Sequence, residues 1–153
     1  MADSDPRRGG ARTKARKRAL DILFEADLRG TDPLQALADH VGRAEPPVRP
    51  FTIELVQTVA RRRDEIDDRL ADALAGGWTL DRMPRVDRVL ARIAVAEMLT
   101  GEVAPQIAID EAATLAGECS TDESPAFLNG LLAEVHARLA RSTAAAPEGA
   151  EGR

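Results

Sequence analysis

The sequence predicts an all-helical protein, and three observations predict it. Ala and Leu dominate a composition that is 44% apolar but only 3% aromatic, with no Tyr, which favours helix over strand. Apolar residues recur at intervals of three and four, and no segment alternates at period two or repeats at a short interval. Pro and Gly divide the chain into six segments of helix length, three before Gly76-Gly77 and three after. The expected architecture is a pair of packed three-helix sub-bundles, about 12–75 and 79–141, within one domain over 12–141. At 153 residues the chain can bury one core, or two small sub-cores sharing an interface, and is short for two independent domains.

Residues 1–11 (MADSDPRRGGA) carry Pro6, Gly9 and Gly10 and no apolar anchor, so a disordered basic arm is expected there. The first helix should begin near Thr13. At about 100° per residue, Ala15, Ala19, Ile22, Leu23 and Ala26 share a core face, while Leu20, Phe24 and Leu28 form a second stripe. Either this helix is buried on two sides by its own chain, or the second stripe faces another protein. Gly30 closes it, and Thr31-Asp32-Pro33 starts a short helix with Leu34, Leu37 and Val41 inward.

The proline-rich stretch 44–50 reads as a stiff extended loop, since each residue before a proline is pushed out of the helical region. A long helix should follow, burying Ile53, Leu55, Val56, Val59, Ile66, Leu70 and Leu74. Its other side mixes Asp64, Glu65, Asp67, Asp68 and Asp72 with arginines at i+3 and i+4, a salt-bridged surface rather than an acid/base pair. After Gly76-Gly77 the only tryptophan, Trp78, is expected to act as a wedge between the sub-bundles. The next helix runs from Pro84 to Thr100 with Val86, Val89, Leu90 and Ile93 inward. Glu97 falls on that same face, where a buried carboxylate needs a partner. Pro105 opens a helix burying Ala108, Ala112, Leu115, Ala116 and Cys119, with Cys119 read as a small core residue. Ser124-Pro125 opens the last, with Leu128, Leu131, Leu132, Val135 and Leu139 inward, and 142–153 should be a disordered tail.

The net charge of −5 conceals an asymmetry. Residues 1–18 hold seven Lys/Arg against Asp3 and Asp5, a balance of +5, leaving 14 Lys/Arg and 24 Asp/Glu, or −10, for the rest. An acidic body repels polyanions, so any nucleic-acid contact should be confined to the basic segment and the surface beside it. Cations in the first turns oppose the helix macrodipole, and a bound phosphate would reverse that sign.

Several classes find no support. The single Cys119 excludes an internal disulfide or a multi-cysteine metal site and fits a reducing, cytoplasmic compartment. No stretch resembles a signal peptide, and nowhere do about 18 apolar residues run together. His40 and His136, both expected on the surface, are not joined to Cys or Asp at ligand spacing. Phosphate-loop and dinucleotide fingerprints are missing. No catalytic residue, metal or cofactor is expected, and the protein reads as a non-enzyme.

Three stretches, ARKRALDILFEADLRG, GWTLDRMPRVDRVLARIAVAEML and IAIDEAATLAGECSTDESPAFLNGLLAEV, resemble the NusB family of bacterial antitermination factors in order and spacing, from Arg12 to Arg138. The resemblance implies an all-helical, NusB-like fold with a basic arm for RNA. It implies single-stranded boxA RNA of ribosomal RNA leaders as ligand, the small-subunit ribosomal protein NusE as partner, and the RNA polymerase elongation complex as destination. It places RNA contacts on Arg12, Lys14, Arg16 and Lys17, with Phe127 either near the RNA, where a base could stack, or purely structural. On the partner surface it places Phe24, where relatives often have Tyr, with Asp87, and Glu123 matches an acidic position linked to partner or RNA binding; the stripe adds Leu20 and Leu28. Thr13 interrupts the basic run, and Asp110 stands where Asn is common. Two rivals remain: a protein-interaction bundle with an idle arm, and the RNA-binding domain attached to ribosomal RNA cytosine methyltransferases, for whose catalytic domain this length leaves no room. Whether the free protein forms a homodimer through the same stripe is open.

Overall fold

In the computed structural model, residues 6–43 and 46–145 are described, with side chains over 10–43 and 46–144. They form α1 (Pro6–Arg29), α2 (Pro33–Arg43), α3 (Pro50–Arg61), α4 (Arg63–Ala73), a 3₁₀ turn (Leu80–Arg82), α5 (Arg85–Thr100), α6 (Pro105–Cys119) and α7 (Ser124–Ala145). No strand occurs among the described residues.

Helix α1 begins at Pro6, earlier than expected. A proline suits the first helical position, and the helix runs on from it through Gly9 and Gly10 despite their low helix propensity. Of the expected disordered arm, 6–11 is therefore helical and 1–5 lies outside the described residues. At the other end, Ser142 to Ala145 continue α7, and 146–153 lie outside the described residues. Gly30 ends α1 at φ 69, and the Thr31 amide donates to the Ala26 carbonyl at 2.9 Å, the six-to-one bond of a Schellman cap. Asp32 then caps α2 by accepting from the Leu34 amide at 3.0 Å.

The expected single helix after the proline loop is two helices. Arg62, at φ −112 and ψ 27, breaks the run between α3 and α4, making four helices before Gly76-Gly77 among the described residues. The break also moves the boundary between sub-bundles. Helices α1, α2 and α3 pack on one another, whereas α4 packs on α5 and α7. Helix α5 is enclosed by α1, α3, α4, α6 and α7, and every residue from Ala91 to Glu97 is buried. The apolar core is consequently continuous across both halves.

Most inward faces are as expected, including Ala15, Ala19, Ile22, Leu23 and Ala26 of α1 and Leu128, Leu131, Leu132 and Val135 of α7. Val41 is exposed instead, and Cys119, at the last position of α6, is exposed rather than a core residue. Trp78 is 48% exposed. It rests against Phe127 of α7, centroids 5.8 Å apart at 50°, with the Arg82 guanidinium 5.7 Å from its ring, and so is no buried wedge. The two halves are joined by α5 itself.

Candidate nucleic-acid and partner interface

The basic run of α1 divides by burial. Arg12 and Lys14 are exposed, and Lys17 is half-exposed with its ammonium 3.2 Å from Glu118 of α6. Arg16 is different: it is 3% exposed and shares its helix face with Leu20 and Leu23. Its Nε and Nη2 each donate to Glu97 at 2.8 Å, a bidentate pair, and Nη1 donates to Glu111 at 3.2 Å. Burial opposes its charge, but Glu97 and Glu111 more than offset that and hold the guanidinium ionised. Arg16 is therefore corrected from an RNA contact to the partner that Glu97 requires. Thr13, which interrupts the basic run, joins the same group by donating to Glu111 at 2.8 Å.

The second stripe of α1 divides too. Leu20 is 5% exposed and belongs to the core, correcting its assignment to a partner surface. Phe24 is half-buried against that core, and Leu28 is 59% exposed. Only the latter two present apolar surface outward. Asp87 is 2% exposed and accepts from Ser120 Oγ at 2.6 Å and Ser124 Oγ at 2.8 Å. Those bonds tie α5 to the α6–α7 turn, so its carboxylate is committed internally rather than to a partner. Glu123 is exposed. Phe127 is half-buried and, with Trp78, Pro84, Thr121, Ser124, the buried Asp87 and the exposed Glu123, lines an apolar cleft of about 180 Å³.

Two features carried no clear sequence signal. Phe51 of α3 stands beside the basic run, with Arg12 at 4.7 Å and Arg16 at 5.2 Å from its centroid. Glu54, one turn later, has its carboxyl pushed up by burial and by the neighbouring Glu102, with Arg12 pulling the other way. The second is an ion-pair cluster. Asp27 accepts from Arg85 at 2.6 Å and Arg88 at 3.3 Å, with Arg63 and Arg92 close by, and Arg92 is bidentate to Asp67 at 2.8 and 3.2 Å. Burial would raise the Asp27 carboxyl, but the Arg85 and Arg88 hydrogen bonds and the Arg88 and Arg92 charges outweigh it and hold it below the usual range. Arg85, Arg88 and Arg92 are regularly spaced on α5 and Arg63 opens α4, but only the tertiary packing around Asp27 of α1 reveals what they meet.

Among the described residues, no three His, Cys, Asp or Glu side chains stand where they could hold a metal ion, and no helix is long and apolar enough to cross a membrane. The described residues form an all-helical bundle that presents cations, aromatic rings and carboxylates around a continuous apolar core.

The chain belongs to the NusB family, whose model matches residues 13–137. It is 54% identical over 140 residues to the transcription antitermination protein NusB of Acidothermus cellulolyticus, covering 91% of this chain and 96% of that one. To its namesake from Salinispora tropica it is 56% identical over 130 residues, covering 82% and 94%. Its fold is similar to a chain in the crystal structure of antitermination factors NusB and NusE in complex with dsRNA, with a TM-score of 0.73, 25% identity and coverage of 83% and 96%. The family is one of transcription antitermination factors, not of enzymes.

Proposed function

We propose that this protein is an antitermination factor that binds single-stranded boxA RNA of ribosomal RNA leaders together with NusE, tethering nascent RNA to elongating RNA polymerase. The observation that carries this is a run of exposed cations, Arg12, Lys14 and Lys17, on an otherwise acidic member of the NusB family. The similar structure of NusB and NusE in complex with dsRNA supports the coarser part of this reading, an RNA ligand and NusE as partner. The Lys17–Glu118 pair is a surface contact worth at most about 1 kcal/mol, so a phosphate can compete for that ammonium. Phe24 and Leu28 supply the apolar part of the partner surface, and Glu123 an exposed carboxylate. Phe127 offers a ring to a base at the Trp78 cleft.

Labelled leader RNA titrated across a salt series, with and without NusE, tests this. Arg12→Ala, Lys14→Ala and Lys17→Ala should each flatten the dependence of log affinity on log salt by roughly 0.7. Slopes that stay at the unmutated value would remove the phosphate contacts and leave a protein-interaction module. Phe24→Ala and Leu28→Ala should weaken NusE capture while leaving the RNA slope unchanged.

A further inference from the structure

Phe51 lies in the first turn of α3, against the basic run of α1, and two guanidinium groups share its ring. The inner one, Arg16, is held in place by both carboxylate oxygens of Glu97. The outer one, Arg12, is exposed one helical turn earlier, its central carbon 4.7 Å from the ring centroid. The next residue of α3 pins the two helices together, as the buried Thr52 hydroxyl donates to the Ala15 carbonyl at 2.8 Å. The ring is thus carried by a helix in fixed register with the cations, not by a loop.

A guanidinium resting on a ring uses its face for the cation–π contact and keeps its N–H edges for phosphate oxygens. A long exposed arginine otherwise loses rotamer freedom when it grips a ligand, and a ring that already holds it reduces that loss. We propose that Phe51 is a positioning residue of the RNA site: its ring holds the Arg12 guanidinium ready for a phosphate, on a base fixed by the Arg16–Glu97 pair. This rests on the RNA-binding reading above and makes α3 a second helix of that interface.

The test is a double-mutant cycle on the full chain with NusE and a labelled single-stranded leader RNA, at temperatures where circular dichroism shows each variant folded. Phe51→Leu should weaken binding about two- to five-fold, the worth of an exposed cation–π contact, and leave the salt slope unchanged. Phe51→Tyr should restore affinity. In an Arg12→Ala background, Phe51→Leu should add nothing. An equal loss in both backgrounds would make the ring a general packing element and overturn the proposal, as would no loss in either. If Arg12→Ala binds like the unmutated chain, the phosphate role of Arg12 fails and takes this inference with it. A weakened Arg12→Ala beside a neutral Phe51→Leu overturns the role of Phe51 alone. Proton spectra of the unmutated chain give a readout independent of variant folding: the Arg12 δ-protons should be shifted upfield by the ring with and without RNA, and ordinary arginine shifts would overturn the proposal.

Discussion

At the level of single side chains, the burial of Arg16 changes what the basic run of α1 can do. Seven cations in the first 18 residues read as one electrostatic arm, yet Arg16 and Glu97 form a bidentate pair with both side chains almost wholly removed from water. Removing one partner leaves the other charged and buried, so Arg16→Ala or Glu97→Ala should cost about 3–5 kcal/mol in urea unfolding at neutral pH. A loss below about 1 kcal/mol would mean that the pair is solvated in solution. The need for a partner at Glu97 was legible, because a carboxylate on an apolar helix face is untenable alone. Its identity was not, since Arg16 lies 81 positions away. Leu20 is the matching case: its spacing with Phe24 and Leu28 is regular, but burial across a helix falls off gradually and periodicity does not mark where it stops.

At the level of elements, capping signals were legible and inter-helix electrostatics were not. Gly101 follows α5 at φ 76 and its amide donates to the Glu97 carbonyl at 3.1 Å, so Gly101→Ala should lower stability by about 1 kcal/mol with no change in fold. An unchanged melting temperature would contradict the left-handed cap. The Asp27 cluster joins α1 to α4 and α5, and its depressed carboxyl makes stability depend on pH. Because the folded-state value lies below the unfolded one, the contribution is complete above the ordinary aspartate range and is lost as pH falls through the depressed value. Asp27→Asn should therefore destabilise the protein most near neutrality, with the difference in urea midpoint shrinking on acidification. A gap that stays constant down to pH values near 3 would exclude this carboxylate as the source.

At the level of the whole molecule, α5 makes the two halves one cooperative unit. It is packed against helices from both sides of the Gly76-Gly77 break, and α4 reaches across that break to α7. Unfolding followed by circular dichroism and by Trp78 emission should give coincident transitions, and separated midpoints would show halves that melt independently. Trp78→Ala should cost less than the roughly 3–5 kcal/mol of a buried tryptophan, because nearly half of the side chain is already in water. Had it been the expected wedge, the full cost would apply.

The sequence by itself determined the all-helical class, most core faces, the capping of α1 and α2, and the family. Each of these rests on local periodicity, local dihedral preference or ordered motifs. Only the tertiary structure decided that Arg16 and Asp87 are internal partners while Arg12, Lys14 and Lys17 remain outside, and that Phe51 lies beneath Arg12. It also decided that α4 sides with α5 and α7. Those outcomes depend on which helices meet, and a helix wheel ranks its own faces without knowing what will cover them.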